Sequence, residues 1–149
     1  ESDIYVHGDS IVTLDTPFCK IGLSICYDLR FPELFRDLSR QGVELVCMPA
    51  AFTAVTGKAH WEHLIKSRAI ENLVYFAASA QGGYHVSGRE TYGHSMIVNP
   101  WGEVILDAGK SQGLYFANLD LNEVTEARHR IPSLNNSSQF KLKHYKKNE

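Results

Sequence analysis

The sequence predicts an α/β layered domain, and three observations point to it. Short apolar runs bounded by Pro and Gly recur along the chain. Amphipathic stretches at helical spacing separate the first of these runs, and a later pair is joined by a tight turn instead. The chain has 149 residues, 44% of them hydrophobic, enough to bury roughly 70% of its unfolded surface in one core. No internal repeat, low-complexity block or linker divides it, so one continuous domain is expected over residues 1–140 with a basic polar tail at 141–149.

Residues 11–16 read as a short strand stopped by Pro17. Residues 20–26 alternate, with Ile21, Leu23 and Ile25 on one face and Gly22, Ser24 and Cys26 on the other. Pro32 then opens a helix, where a proline is tolerated in the first turn. Phe31, Leu34, Phe35 and Leu38 form its apolar stripe, and Gly42 is its stop. A buried strand is predicted over 44–50, ended by Pro49, followed by a Gly-containing loop. Residues 60–73 have helical periodicity, with Trp61, Leu64, Ile65, Ala69 and Leu73 on one side and a Glu62–Lys66 pair at i,i+4. A third buried strand is expected at 74–81, then a loop marked by Gly82, Gly83 and Gly88. Strands at 94–99 and 103–107 flank Pro100-Trp-Gly102 and read as a hairpin. One more strand at 113–119 and a helix at 121–130 complete the reading, and the chain from Pro132 is polar, a tail or a partner-bound arm.

Composition excludes several functions. A net charge of −2 gives no electrostatic footprint for nucleic acid, and no apolar run approaches the ~20 residues that span a bilayer. The residues Glu1-Ser2-Asp3 do not resemble a secretory or transit signal, and three cysteines at 19, 26 and 47 suggest reduced thiols, hence a cytoplasmic setting. No metal site is expected. His60-Trp-Glu62 lacks the downstream Cys pair of a zinc deaminase, and His60 with His63 at i,i+3 lacks further ligands, so His60 is read as a helix cap and His63 as solvated.

Cys26 carries the strongest chemical signal. It ends an apolar strand and precedes a helix by a few residues, a placement that projects a thiol from the sheet beside backbone N–H groups that favour developing negative charge. A neighbouring Arg and a helix N-terminus lower a thiol pKa from its free value of ~8.5. The competing reading is a buried structural cysteine, the commoner state of a free Cys, to which Cys19 and Cys47 are assigned. A Cys26/His94 dyad is a further alternative. Arg30 and Arg68 are expected in ion pairs with Glu33 or Glu71, with binding of a substrate carboxylate a lesser option. Ala51, Phe52 and Thr53 follow a strand end, where α/β folds place ligands.

The segment Gly22-Leu-Ser-Ile-Cys-Tyr-Asp-Leu-Arg-Phe-Pro-Glu33 resembles the nucleophile motif of the nitrilase, or carbon–nitrogen hydrolase, superfamily. The resemblance continues through 44–52, Gly57-Lys-Ala-His-Trp-Glu62, Arg68-Ala-Ile-Glu-Asn72, Tyr92-Gly-His-Ser95 and Asn99-Pro-Trp-Gly102, to about Phe140. It is closest to Nit-type amidases, which include omega-amidase and deaminated-glutathione amidase, and Ala80-Gln81 with the Tyr-Gly-His-Ser run leans toward the second. The resemblance implies a four-layer α-β-β-α sandwich, no cofactor, and hydrolysis of a small non-peptide omega-amide through a Cys26 thioester with release of ammonia. The Tyr27 N–H would hold the oxyanion, and Ala51, Phe52 and Thr53 would line the substrate pocket.

The family also uses a Glu base and a Lys from segments upstream of its cysteine. Only 25 residues precede Cys26, and they lack those motifs; Glu1 and Lys20 are the nearest candidates, and Lys20 lies about 20 Å along the strand. The expectation is therefore the C-terminal portion of a nitrilase-like domain, inactive alone, that pairs with a complementary N-terminal chain or forms a homo-oligomer. The alternative is a catalytically inactive half-domain serving as an oligomerisation or regulatory subunit.

Overall fold

The computed structural model describes residues 6–136 and 141–144. A six-stranded sheet has the order β1-β2-β3-β4-β7-β8, from β1 (Val12–Asp15), β2 (Lys20–Leu23), β3 (Leu45–Ala50), β4 (Tyr75–Ala80), β7 (Met96–Val98) and β8 (Val104–Asp107). The central pairs β2/β3 and β3/β4 are parallel, and β1/β2, β4/β7 and β7/β8 are antiparallel. The parallel crossovers are helices α1 (Pro32–Arg40) and α2 (Ala54–Asn72), and a third helix, α3, covers Asn122–Arg130. A small hairpin of β5 (Gly82–Tyr84) and β6 (Glu90–Tyr92) stands apart from the sheet. The α/β layered expectation and the 94–107 hairpin therefore hold.

One face of the sheet is closed by helices. Val46 and Met48 from β3, Phe76 and Ala78 from β4, and Met96 and Val98 from β7 are buried in a single cluster with Phe35 and Leu38 of α1 and Trp61, Ile65 and Ala69 of α2. Gly22 belongs to this face, and a Cβ there would lie 3.0 Å from Leu38 and Val43, so the absent side chain lets α1 settle on β2. The Ser39 hydroxyl donates to the Asn72 carbonyl at 2.7 Å and joins the C-terminal ends of α1 and α2.

The other face is apolar but largely open. Val12, Leu23, Cys47, Ala77, Ile97 and Leu106 are register partners in turn from β1 to β8 and so form one row across the sheet. Val12 is 51% and Leu23 45% exposed, and the rest of the row is half-buried. A second row runs Leu14–Ile21–Leu45–Tyr75. Tyr75 is its one fully buried member: its hydroxyl donates to Glu123 Oε2 at 2.7 Å and to the Asp120 carbonyl at 3.2 Å, tying down α3. Burial together with the Glu123 carboxylate pushes the Tyr75 phenol well above its ordinary pKa.

Five sequence expectations are corrected. The strand over 20–26 ends at Leu23, and Cys26 lies in a 3-10 turn instead. Up to Ile25 the alternation is kept, with Gly22 and Ser24 buried and Leu23 and Ile25 facing outward. Pro49 does not end β3; it pairs with Ser79 inside the strand, and its missing N–H costs nothing because β2 stops at the Cys47 register. Helix α2 starts at Ala54, six residues before the expected 60, because the Thr53 hydroxyl caps it and Gly57 is helical. Residues 82–92 hold a hairpin where a loop was expected. Residues 113–119 are not a strand: Leu114 and Phe116 are 87% and 86% exposed, with no neighbouring strand among the described residues to complete a ladder. Of the expected tail, residues 141–144 are irregular and exposed, and 145–149 lie outside the described residues.

Two substitutions test the packing. A Cβ at Gly57 would meet Tyr92 Cβ and Cγ at 2.2 Å, so Gly57→Ala should lower unfolding free energy by about 1–3 kcal/mol in urea titration. Arg68 is 7% exposed; its Nε and Nη2 donate to the Leu29 carbonyl at 3.1 and 2.9 Å and its Nη1 to Glu71 at 2.9 Å. Lysine keeps the charge and lacks the fork, so Arg68→Lys should cost roughly 2–3 kcal/mol in the same titration; an unchanged midpoint would show that the fork does not matter.

Candidate active site

Cys26 sits where the parallel strands end and a tight turn begins. The chain leaves β2 at Leu23, and Cys26–Arg30 form a single 3-10 turn that delivers the backbone to Pro32 and α1. At Cys26 the backbone is left-handed, φ 45°, a conformation that costs a non-glycine residue roughly 1–2 kcal/mol. Such strain persists only where the surroundings over-determine it. Here Asp28 Oδ2 accepts from the Ile25 N–H at 2.7 Å, while the Asp28 N–H donates to the Ile25 carbonyl at 2.9 Å. Leu29, fully buried, plugs the turn into the core, and the Arg68 fork clamps its carbonyl.

The thiol is half-buried and packs against the core cluster. The amides of Cys26 and Tyr27 are first in the turn, where intrahelical acceptors are lacking, and neither donates to a backbone carbonyl among the described residues. Cys19 and Cys47 are also half-buried, and burial pushes both thiols up from their ordinary pKa. Both are therefore held as neutral thiols, as their structural assignment expects.

The β3–α2 junction stands beside this turn. Phe52 is buried edge-on against Trp61, centroids 4.9 Å apart, and its carbonyl accepts from Tyr92 N at 2.9 Å. Arg30 bridges the two segments: its guanidinium carbon lies 5.3 Å from the Phe52 ring centroid and 5.8 Å from that of Tyr27. Tyr27 and Phe52 are thus brought together through Arg30. Ala51 is half-buried, with its carbonyl near Arg89 Nη2 at 3.4 Å. Thr53 turns its hydroxyl to the helix cap, accepting from Thr56 N at 3.3 Å.

The polar residues around the site divide differently from expectation. Arg68 pairs with Glu71, but Arg30 does not pair with Glu33; it turns toward His60 Nδ1, with Nη1 and Nη2 at 3.5 and 3.4 Å. His60 is inside α2 and not a cap, because the helix begins earlier. The His60–Arg30 contact was missed for that reason, although Tyr27 and Arg30 at i,i+3 of a 3-10 turn were readable as one face. His94 is engaged by Asp107 at 3.0 Å and stacks on Tyr92. Lys20 pairs with Asp15 at 3.3 Å, and Glu1 lies outside the described residues. Among the described residues no group of three or more ligating side chains could hold a metal ion, and no helix is long and apolar enough to cross a membrane.

Known proteins resemble this chain over most of its length. The deaminated glutathione amidase of Synechocystis sp. is 51% identical over 128 residues, covering 86% of this chain and 44% of that protein. The human omega-amidase NIT2 is 43% identical over 89% of the chain and 48% of its own length. The crystal structure of the C. elegans NitFhit protein superposes with a TM-score of 0.88 at 43% identity, over 92% of this chain and 34% of that one. The chain spans about half the length of the curated relatives it matches. A family model described as carbon-nitrogen hydrolase matches residues 1–129, and the chain belongs to that family.

Proposed function

We propose that this chain is the C-terminal portion of an amidase domain that cleaves the C–N bond of a small omega-amide, with Cys26 as nucleophile. The observation that carries the reading is the left-handed Cys26 turn at the end of a parallel strand, with the first amides of the turn unbonded to backbone. A strained strand-to-helix turn that lifts a nucleophile above a sheet is a device known from hydrolases of another fold. Deaminated-glutathione amidase and omega-amidase relatives support the substrate class.

The chemistry proceeds in two halves. Cys26 Sγ attacks the amide carbon as its proton passes to a general base, and the carbonyl electron pair moves to oxygen beside the Tyr27 N–H. Loss of one such donor costs ~3–4 kcal/mol of transition-state stabilisation. The C–N bond then breaks with a proton delivered to nitrogen, and ammonia leaves a thioester. Water, deprotonated by the same base, attacks the thioester; the acid departs and the thiol is restored. Ala51, Phe52 and Thr53 form the wall beside the thiol, Phe52 by its ring and the other two through backbone, since Thr53 Oγ1 is committed to its helix cap.

The base is a carboxylate from a part of the domain outside this chain. Asp28, the carboxylate within the turn, is occupied by the Ile25 amide. The same missing part, or a second copy, covers the apolar sheet face, where burying a Val or Leu side chain contributes ~1.5–3 kcal/mol.

Two outcomes are expected. In the intact protein, Cys26→Ala should lower ammonia release from an omega-amide by at least roughly a thousandfold, and retained turnover removes Cys26 from the mechanism. Residues 1–149 alone should release none and should self-associate in size-exclusion chromatography, with Leu23→Glu shifting the chain toward monomer. A stable monomer of the unmodified chain, or ammonia release by it, contradicts the half-domain reading.

A further inference from the structure

Tyr92-Gly-His-Ser95 leads from β6 into β7, and the chemistry at Cys26 leaves its histidine without a role. Among the described residues three non-glycine residues have left-handed backbone, Cys26, Leu73 and His94. Leu73 follows from its place, since it closes α2 in a conformation common at helix ends. His94, at φ 58°, closes no helix, and a side chain held in that region needs surroundings that over-determine it.

Four contacts hold His94. Its N–H donates to the Gly109 carbonyl at 2.6 Å, and its carbonyl accepts from the Trp61 indole Nε1 at 2.8 Å. Its Nδ1–H donates to the Asp107 carboxylate, with both oxygens at 3.0 Å. Its ring stacks on Tyr92, centroids 4.3 Å apart and planes 20° from parallel. Asp107 is itself fixed, because its Oδ1 accepts from the Gly109 N–H at 2.8 Å.

These contacts close a circuit on Phe52. Trp61 meets the Phe52 ring edge-on at 4.9 Å, and the Tyr92 N–H donates to the Phe52 carbonyl at 2.9 Å. Phe52 is therefore gripped at its ring by one neighbour of His94 and at its backbone by the other. A bridge between Thr53 and Thr91 continues the same seam. The Cys26 turn is held separately, by Asp28, Leu29 and Arg68, and none of those contacts passes through His94. The thiol and the wall beside it thus have independent supports.

We propose that His94 is a positioning residue for the amidase reaction: paired with Asp107, it locks Trp61 and Tyr92 against Phe52 and fixes the wall along which the acyl chain lies beside Cys26. The inference rests on the amidase reading and adds to it a residue that touches neither substrate nor thiol. His94 Nδ1 is committed to Asp107, which separates this role from that of a base in a Cys26/His94 dyad. A wall displaced by about 1 Å misaligns the amide carbon with the thiol, an error that costs up to ~100-fold in rate.

The test uses the intact protein, with glutaramate as the omega-amide and iodoacetamide as a probe of the thiol alone. His94→Gly suits the left-handed backbone and removes both the Asp107 link and the Tyr92 stack. It should lower kcat/KM about tenfold or more, while the alkylation rate of Cys26 stays within about twofold of wild type. His94→Asn, which tolerates the same backbone and keeps a donor for Asp107, should fall between. An unchanged kcat/KM in His94→Gly overturns the proposal. A parallel loss of kcat/KM and alkylation overturns it as well, because His94 then acts on the thiol or on the whole fold. His94→Asn no better than His94→Gly overturns the part given to Asp107.

Fluorescence separates this proposal from the reading beneath it. If the wild type releases no ammonia from glutaramate, the amidase assignment fails, and Trp61 then reports on the lock alone. The other tryptophan, Trp101, is 48% exposed and is replaced by Phe, so that emission comes from the fully buried Trp61. Iodide quenching of Trp61 should rise in His94→Gly as its packing on Phe52 opens, and quenching at the wild-type level overturns the role of His94.

Discussion

The left-handed backbone at Cys26 is the constraint around which this chain is organised. A non-glycine residue at φ 45° needs to be held there, and the holding groups come from three directions. Asp28 closes the turn on itself through the Ile25 amide, Leu29 anchors it in the core, and Arg68 reaches from α2 to grip the Leu29 carbonyl. Remove the grip and the turn is free to relax toward ordinary helical dihedrals, which would redirect the thiol and the first amides together. The packing of α2 on the sheet is thus coupled to the conformation of the Cys26 turn.

The two sheet faces divide the labour. The helix-covered face supplies the stability, with Trp61, Phe35 and Phe76 fully buried and Gly22 letting α1 approach closely. The opposite face carries apolar rows from β1 to β8 that the described residues leave largely open, apart from the corner where α3 reaches Tyr75. Residues 113–119 make the same point in the backbone: they have the composition of a strand and no partner to pair with among the described residues. Sheet faces and strand edges of this kind are completed by neighbours, and the chain spans about half the length of the curated relatives it matches.

Much of the fold was legible because its signals are local. Pro32 announced α1, the 60–73 periodicity found the body of α2, and Asn99-Pro-Trp-Gly102 marked the turn of the β7–β8 hairpin, where Asn99 Oδ1 accepts from the amides of Trp101 and Glu103. What misled the reading depended on tertiary context. Gly57 looked like a loop residue, yet it is helical within the Thr53-capped α2, and the Tyr92 ring takes the space of its missing side chain. Residues 82–92 read as glycine-rich loop, although Gly82 and Gly83 pair with Tyr92 and Thr91. At the site, the position of Cys26 between a strand and a helix was readable, but its dihedral was not, since nothing in Ile-Cys-Tyr favours positive φ over an extended chain. Arg30 was matched with Glu33 by sequence proximity, whereas the fold brings it Phe52 and His60 from the next strand and helix.

The central claim is that, of three cysteines, the turn at Cys26 singles out one as a nucleophile. Burial pushes the thiols of Cys19 and Cys47 up and keeps both protonated at neutral pH, while the Cys26 turn presents its thiol beside amides that donate to no backbone carbonyl among the described residues. Timed alkylation of the native protein with a haloacetamide, followed by peptide mass spectrometry, measures the three rates in one experiment. Modification of Cys26 ahead of the other two, slowed by a bound omega-amide in the intact protein, is the predicted result. Equal rates at all three cysteines, or faster reaction at Cys19 or Cys47, would contradict the account.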